Sequence, residues 1–220
     1  MAEDMADNRQ SAVYSSEAIK YIQLHTKVQQ IRIVGSVSND IRIFWSDTVL
    51  RKLKILQNDC TLTICDEALP ALYGVLGLLE LTRENELLLQ IPMHYKGSLC
   101  IQTTSNKVYL TDCALIGPVD ILTNTGAISV SDATVQTLKL YAKHGVIMCQ
   151  HLKPHRELNM KTITGFIECG LDGKQKNFMF DCFSEHGRCR VPPVQSVEIA
   201  TDSPAIVSAY SVNGSIHVYL

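Results

Sequence analysis

A chain of 220 residues, 46% apolar and 19% charged, has the length and composition to fold around its own core. A net charge of -2 and a pI near 6.4 supply no general attraction to nucleic acid or to an anionic membrane, so neither is expected as a partner. The longest apolar run, residues 68–79, is broken by Pro70, Gly74 and Gly77 and is too short to cross a bilayer, so no membrane insertion is expected.

Residues 1–16 (MAEDMADNRQSAVYSS) are acidic, small and poor in apolar surface, which predicts a disordered tail. They lack the basic start and apolar stretch of a secretory signal. As written, the chain is expected in the cytoplasm, or at the cell surface if an export signal has been removed. Eight cysteines, several at positions where Val or Ile would fit a strand, read as free thiols acting as small hydrophobes.

The remainder, residues 17–220, reads as one domain with irregular strands over 17–97 and regular repeats over 98–220. Ile31 and Ile33, then Ile41 and Ile43, alternate with Arg32 and Arg42, the period of half-buried strands, with Ser38-Asn39-Asp40 as a turn. Leu53, Ile55, Leu62 and Ile64 repeat the alternation around Asn58-Asp59. Trp45 is read as a packing residue rather than an exposed platform. Residues 68–80 are read as a short helix or a loop over one end of the domain. Strand character resumes at Leu87–Ile91 and should end at Pro92.

From residue 98 one phrase recurs, clearest in ILTNTGAISV, LYAKHGVIMC and MKTITGFIEC. Its turn residue is Asn106, Gly126, Gly145, Gly165, Gly187 and Gly214, at spacings of 20, 19, 20, 22 and 27. A near-constant interval of about twenty residues is the mark of a solenoid. Two residues after the turn stand Val108, Ile128, Ile147, Ile167, Cys189 and Ile216. Four after it stand Leu110, Val130, Cys149, Cys169, Val191 and Val218. Five before it stand Ile101, Ile121, Leu140, Met160, Cys182 and Ala209, and seven before it Leu99, Val119, Leu138, Leu158, Phe180 and Val207. The position three before the turn is small throughout: Thr103, Thr123, Ala142, Thr162, Ser184 and Ser211. Each repeat therefore reads as two short strands joined by a tight turn that wants glycine for its conformation. Successive copies stack in parallel, so that like residues form columns in one core. The expected fold class is all-β: a parallel β-solenoid of about six C-terminal rungs, preceded by further strands. An antiparallel sandwich of hairpins is the alternative, and it does not explain the column register.

The phrases IPMHYKGSLCIQTTSNKVYL, ILTNTGAISV and LYAKHGVIMC resemble the bacterial putative-adhesin domains of unknown function, from about Tyr21 to the C-terminus. That resemblance implies a right-handed solenoid-like coil and an adhesion-like role.

No phosphate loop, nucleophile elbow or dinucleotide fingerprint occurs, and neither enzymatic activity nor a cofactor is expected. Cys182, His186 and Cys189 have zinc-like chemistry but no evident fourth ligand. His151 and His155 stand four apart around Pro154, and Asp120, Glu168 and Asp181 are outward but dispersed, so no metal or glycosidase site is expected. Stacking could bring Cys149 and Cys169 within disulfide range; buried free thiols are the preferred reading. What remains is an outward stripe four residues before the turns: Leu122, Tyr141, Phe183 and Tyr210, interrupted by Gln102 and Lys161. The stripe could contact a protein or a glycan, although packing of the N-terminal segment over it is the preferred expectation. The function read from these features is a non-catalytic, adhesion-like binding module presenting a rigid sheet face. The alternative is a scaffold that self-associates through its end rungs, with the segment after Gly214 as the open end.

Overall fold

In the computed structural model, which describes residues 9–27, 30–47, 52–67, 86–193 and 203–220, seventeen strands form one continuous hydrogen-bonded sheet. The fold is all-β and solenoid-like, with one 3-10 turn among the described residues, at Gln175–Asn177. The strands are β1 (Arg9–Ser15), β2 (Tyr21–Thr26), β3 (Gln30–Ser36), β4 (Asp40–Ser46), β5 (Lys52–Asn58), β6 (Thr61–Glu67), β7 (Glu86–Pro92), β8 (Ser98–Thr103) and β9 (Val108–Leu115). There follow β10 (Val119–Thr123), β11 (Ile128–His144), β12 (Ile147–Thr164), β13 (Ile167–Leu171), β14 (Phe178–Ser184), β15 (Cys189–Arg190), β16 (Ala205–Asn213) and β17 (Ile216–Tyr219).

Strands before the turns build a first wall and strands after them a second. In the first wall Ile101, Ile121, Leu140, Met160, Ala209 and Cys182 are successive Cα partners. In the second, Val108, Ile128, Ile147, Ile167, Ile216 and Cys189 are. All of these pairings are parallel, which excludes the hairpin sandwich. The columns also run back through the earlier strands: Ile22 partners both Leu62 and Leu99, and Ile31 partners both Leu87 and Val108. The interior of both walls is closed, and Ile33, Leu89, Leu138, Leu158, Ile147 and Cys149 expose nothing.

The stacking order departs from the chain order. Strands β16 and β17 lie between β12–β13 on one side and β14–β15 on the other. The segment after Gly214 is therefore interior, and the rung at this end of the stack is β14–β15. Its columns are correspondingly open: Phe180 and Cys182 are half-buried, while Cys189 and Val191 are exposed. At the opposite end, β5 pairs antiparallel with β6, β4 with β7, and β1 with β4. Residues 9–15, expected within a disordered tail, thus form an edge strand. The alternation QSAVYS lets Ala12 and Tyr14 pack on the core while Val13 faces out. Residues 1–8, and the helix or loop expected at 68–80, lie outside the described residues. Trp45 is buried, and its indole N–H donates to Asp47 at 3.2 Å.

The turn glycines are required chiefly by stacking. A Cβ on Gly126 would lie 1.8 Å from the carbonyl oxygen of Asn106, on Gly145 1.9 Å from that of Gly126, and on Gly165 1.8 Å from that of Gly145. The series continues out of chain order, with Gly214 against Gly165 at 1.5 Å and Gly187 against Gly214 at 2.0 Å. Of these five, only Gly165 has a left-handed φ, +138°. The small column serves the same turns: Gly126 N–H donates to Thr123 Oγ1 at 3.0 Å, and Gly187 N–H to Ser184 Oγ at 2.9 Å.

A short third wall completes the coil. Six residues after successive turns stand Asp112, Asp132 and His151, each with φ +51°. Asp, Asn and His tolerate this left-handed conformation better than branched residues do. The corner re-aims the chain so that Ala133 stacks between Cys113 and Leu152, and Val135 between Leu115 and Pro154. All six are buried.

Candidate functional site

The outer face of the first wall carries two parallel columns, because outward side chains recur every second residue along a strand and like positions stack across strands. One column runs Gln102, Leu122, Tyr141, Lys161, Tyr210, Phe183. The other runs Cys100, Asp120, Lys139, Asn159, Ser208, Asp181. The four stripe residues expected from sequence are thus brought onto one face. Leu122 is 42% exposed and Phe183 58%, while Tyr141 and Tyr210 are half-buried by their neighbours.

Two shallow depressions follow these columns. One, of about 410 Å³, is lined by Gln102, Asp120, Leu122, Lys139 and Tyr141, and the other, of about 390 Å³, by Asp181, Phe183, Ser208 and Tyr210. Both share Asn159 and Lys161, so they form one trough across six strands. Within it the Phe183 and Tyr210 rings stack at 6.3 Å and 24°. The Lys161 ammonium sits 5.4 Å from the Tyr210 ring centroid, within cation–π range. The Tyr210 hydroxyl donates to Glu185, and the hydrogen bond to that carboxylate raises the phenol above its ordinary range. Lys139 makes no ion pair among the described residues, although Asp120 is its Cα partner.

The described part of the N-terminal segment, residues 9–15, does not cover this face. Strand β1 lies at the far edge of the second wall, against β4, so these residues do not supply the packing expected over the stripe. The sequence showed the ring column but missed the polar column beside it, although its members stand at one fixed offset, six residues before each turn.

The remaining sequence candidates are dispersed. Asp120 and Asp181 share a column but are separated by Lys139, Asn159 and Ser208, and Glu168 lies on the second wall. His151 Nδ1 meets Asp172 at 3.4 Å on an exposed corner, and His144 Nδ1 meets Thr164 Oγ1 at 2.7 Å. Among the described residues, no three His, Cys, Asp or Glu side chains converge as metal ligands. All eight cysteines are free. Cys149 and Cys169 are buried Cα partners, and the Cys149 thiol together with burial pushes Cys169 well up. Burial pushes Cys113 to about 12 and Cys182 to about 11, so both remain thiols at neutral pH.

The family model described as Toastrack DUF4097, a domain of unknown function, matches residues 19–168, more than half of the chain. Among solved structures, a putative cell adhesion protein from Clostridium sporogenes is similar at a TM-score of 0.56 and 11% identity, over 96% of this chain and 98% of that one. A putative adhesin from Bacteroides fragilis is similar at a TM-score of 0.50 and 13% identity, over 98% of each chain. At these identities the likeness is one of fold. No curated protein matches the sequence.

Proposed function

The chain belongs to the Toastrack DUF4097 family, and from that premise we propose a non-catalytic, adhesion-like module that binds through the outer face of its first wall. The observation that carries the proposal is the column Leu122, Tyr141, Lys161, Tyr210, Phe183, which no other described segment covers. An exposed apolar strip rimmed by polar groups is the usual form of a contact surface. The names of the two similar structures point the same way. A rigid coil, right-handed as the family resemblance implies and with about six regular rungs, holds the strip in register without ligand-induced ordering. The test is an array of glycans and extracellular-matrix proteins probed with the chain and with its Tyr141→Ser, Phe183→Ser, Tyr210→Ser triple variant. Binding that disappears in the triple variant is expected. Failure to bind anything on the array, or binding that survives the substitutions, would overturn the proposal.

A second reading, self-association through an end rung, is favoured by the open edge at β14–β15. There Met179 is 57% and Phe183 58% exposed beside half-buried Phe180 and Cys182. A parallel edge strand with apolar side chains is a template for further pairing unless it is blocked. Sedimentation velocity should then show a concentration-dependent dimer that Met179→Lys abolishes. A strict monomer at hundreds of micromolar would count against this reading.

A further inference from the structure

We propose that the trough takes an acidic glycan: an extended run of sugar units crossing the strands, with a carboxylate seated between Lys139 and Lys161. This rests on the reading of the first wall as a binding face and specifies its ligand.

The trough has two unlike sides. One side is a row of flat or apolar groups, Leu122, Tyr141, Tyr210 and Phe183, and the other a row of hydrogen-bonding groups, Asp120, Lys139, Asn159, Ser208 and Asp181. A pyranose ring has the same division, with an apolar C–H face that stacks on an aromatic ring and a rim of hydroxyls that both donate and accept. The polar row supplies both roles: Asp120 and Asp181 accept, Lys139 donates, and Asn159 and Ser208 do either. Adjacent strands lie about 4.8 Å apart, close to the length of one sugar unit in an extended chain, so successive units can meet successive members of both rows.

The charge order points to an acid at the centre. Asp120 and Asp181 stand towards the two ends, and Lys139, Asn159 and Lys161 between them, where the two depressions join. Lys161 is held over Tyr210, and Lys139 has no ion pair among the described residues, so its ammonium is available to a ligand carboxylate. Asn159, between Cα partners Lys139 and Ser208, can donate to the same carboxylate. An acidic peptide fits less well. Backbone groups in the middle of a sheet are paired to neighbouring strands, so the face offers an incoming peptide no strand-addition site and no other means of reading its main chain.

The test uses the full chain and isothermal titration with three probes: a hexamer of 1,4-linked galacturonate, the same hexamer with its carboxyls reduced to alcohols, and hexaglutamate. The uronate is expected to bind, and the reduced hexamer to bind about tenfold or more weakly, the effect of losing a charge-assisted contact. Lys139→Gln with Lys161→Gln should abolish that difference while leaving residual binding of the neutral hexamer. Tyr141→Ala should weaken both sugars alike. Because all these side chains lie outside the core, the variants should keep the wild-type circular dichroism spectrum and melting temperature, which separates loss of contact from loss of fold. Equal binding of acidic and neutral hexamers would overturn the acid assignment. Hexaglutamate binding as tightly as the uronate would overturn the glycan assignment. If neither sugar binds, yet an array protein is held and released by the Tyr141, Phe183 and Tyr210 substitutions, the glycan inference falls and the binding-face reading stands.

Discussion

Replacing Gly145 by alanine should destabilise the chain by about 2–4 kcal/mol, a large effect for adding one methyl group. The added carbon would sit 1.9 Å from the Gly126 carbonyl oxygen. That oxygen belongs to the backbone of the next rung, so no rotamer change can relieve the clash. The rungs must part instead, and parting them stretches the bonds between them, among them His144 N–H to Asn124 O at 2.7 Å and Ile128 N–H to Val146 O at 2.9 Å. Urea denaturation checks the expectation. Phe166→Ala, next to the following turn and 43% exposed, should change stability by no more than about 0.5 kcal/mol. A Gly145→Ala variant as stable as that control would show that the turns are not in contact.

Leu158→Ala is the second large effect. Leu158 exposes nothing and stacks between Leu138 and Val207. Truncation leaves a cavity that a hydrogen-bonded ladder cannot collapse to fill, for an expected loss of about 2–5 kcal/mol. The same change at Leu122, 42% exposed on the outer face of the same wall, should cost less than about 1 kcal/mol. The stack also makes a qualitative prediction. Because each rung contacts only its neighbours, weakening one interior layer can uncouple the two sides of it. Leu158→Ala should therefore broaden the denaturation curve or split it in two, whereas Leu122→Ala leaves a single transition. Equal losses at the two leucines would contradict the inside–outside assignment of the wall.

The four apolar columns were legible because strand side chains alternate and stacked rungs repeat, so one template predicts both burial and partner. Ile101, Ile121 and Leu140 lie where the template puts them. Phe180, Cys182, Cys189 and Val191 match the same template yet are only partly buried or exposed, because burial depends on a neighbour on both sides and their rung is terminal. The order of stacking could not be read at all. Every rung offers the same columns, so nothing in the pattern states which rung lies on which. The third wall was legible in principle: Asp112, Asp132 and His151 share an offset, and Cys113, Ala133 and Leu152 follow at the next position, but the template stopped at the fourth residue after the turn. Glycine was the right residue for the turns for a different reason. The sequence suggested backbone conformation, whereas the structure shows that contact between rungs excludes a side chain at most of them. At the candidate site, the rings were found because they are unusual on an outer face, and the polar row was missed because polar groups there are ordinary.

The placement of β16 and β17 inside the stack also constrains how the chain can reach this state. A coil whose rungs followed chain order could zip up as it left the ribosome, each rung docking on the one before. Here β14 and β15 are synthesised first, but their strand partners among the described residues are β16 and β17 alone. Until residues 205–219 arrive, the surface of β12 and β13 that β16 and β17 will cover is open, and β14–β15 is the nearest segment able to occupy it. The same glycine and small-residue spacings that make the rungs alike give β14–β15 the register of that open surface. Correct assembly then requires β14–β15 to stay undocked, or to leave, so that the later segment can enter. Closing the chain in this order forms contacts over longer sequence separations than a simple coil would, and such contacts slow folding. The last layer to settle is therefore an earlier part of the chain than the layer beneath it.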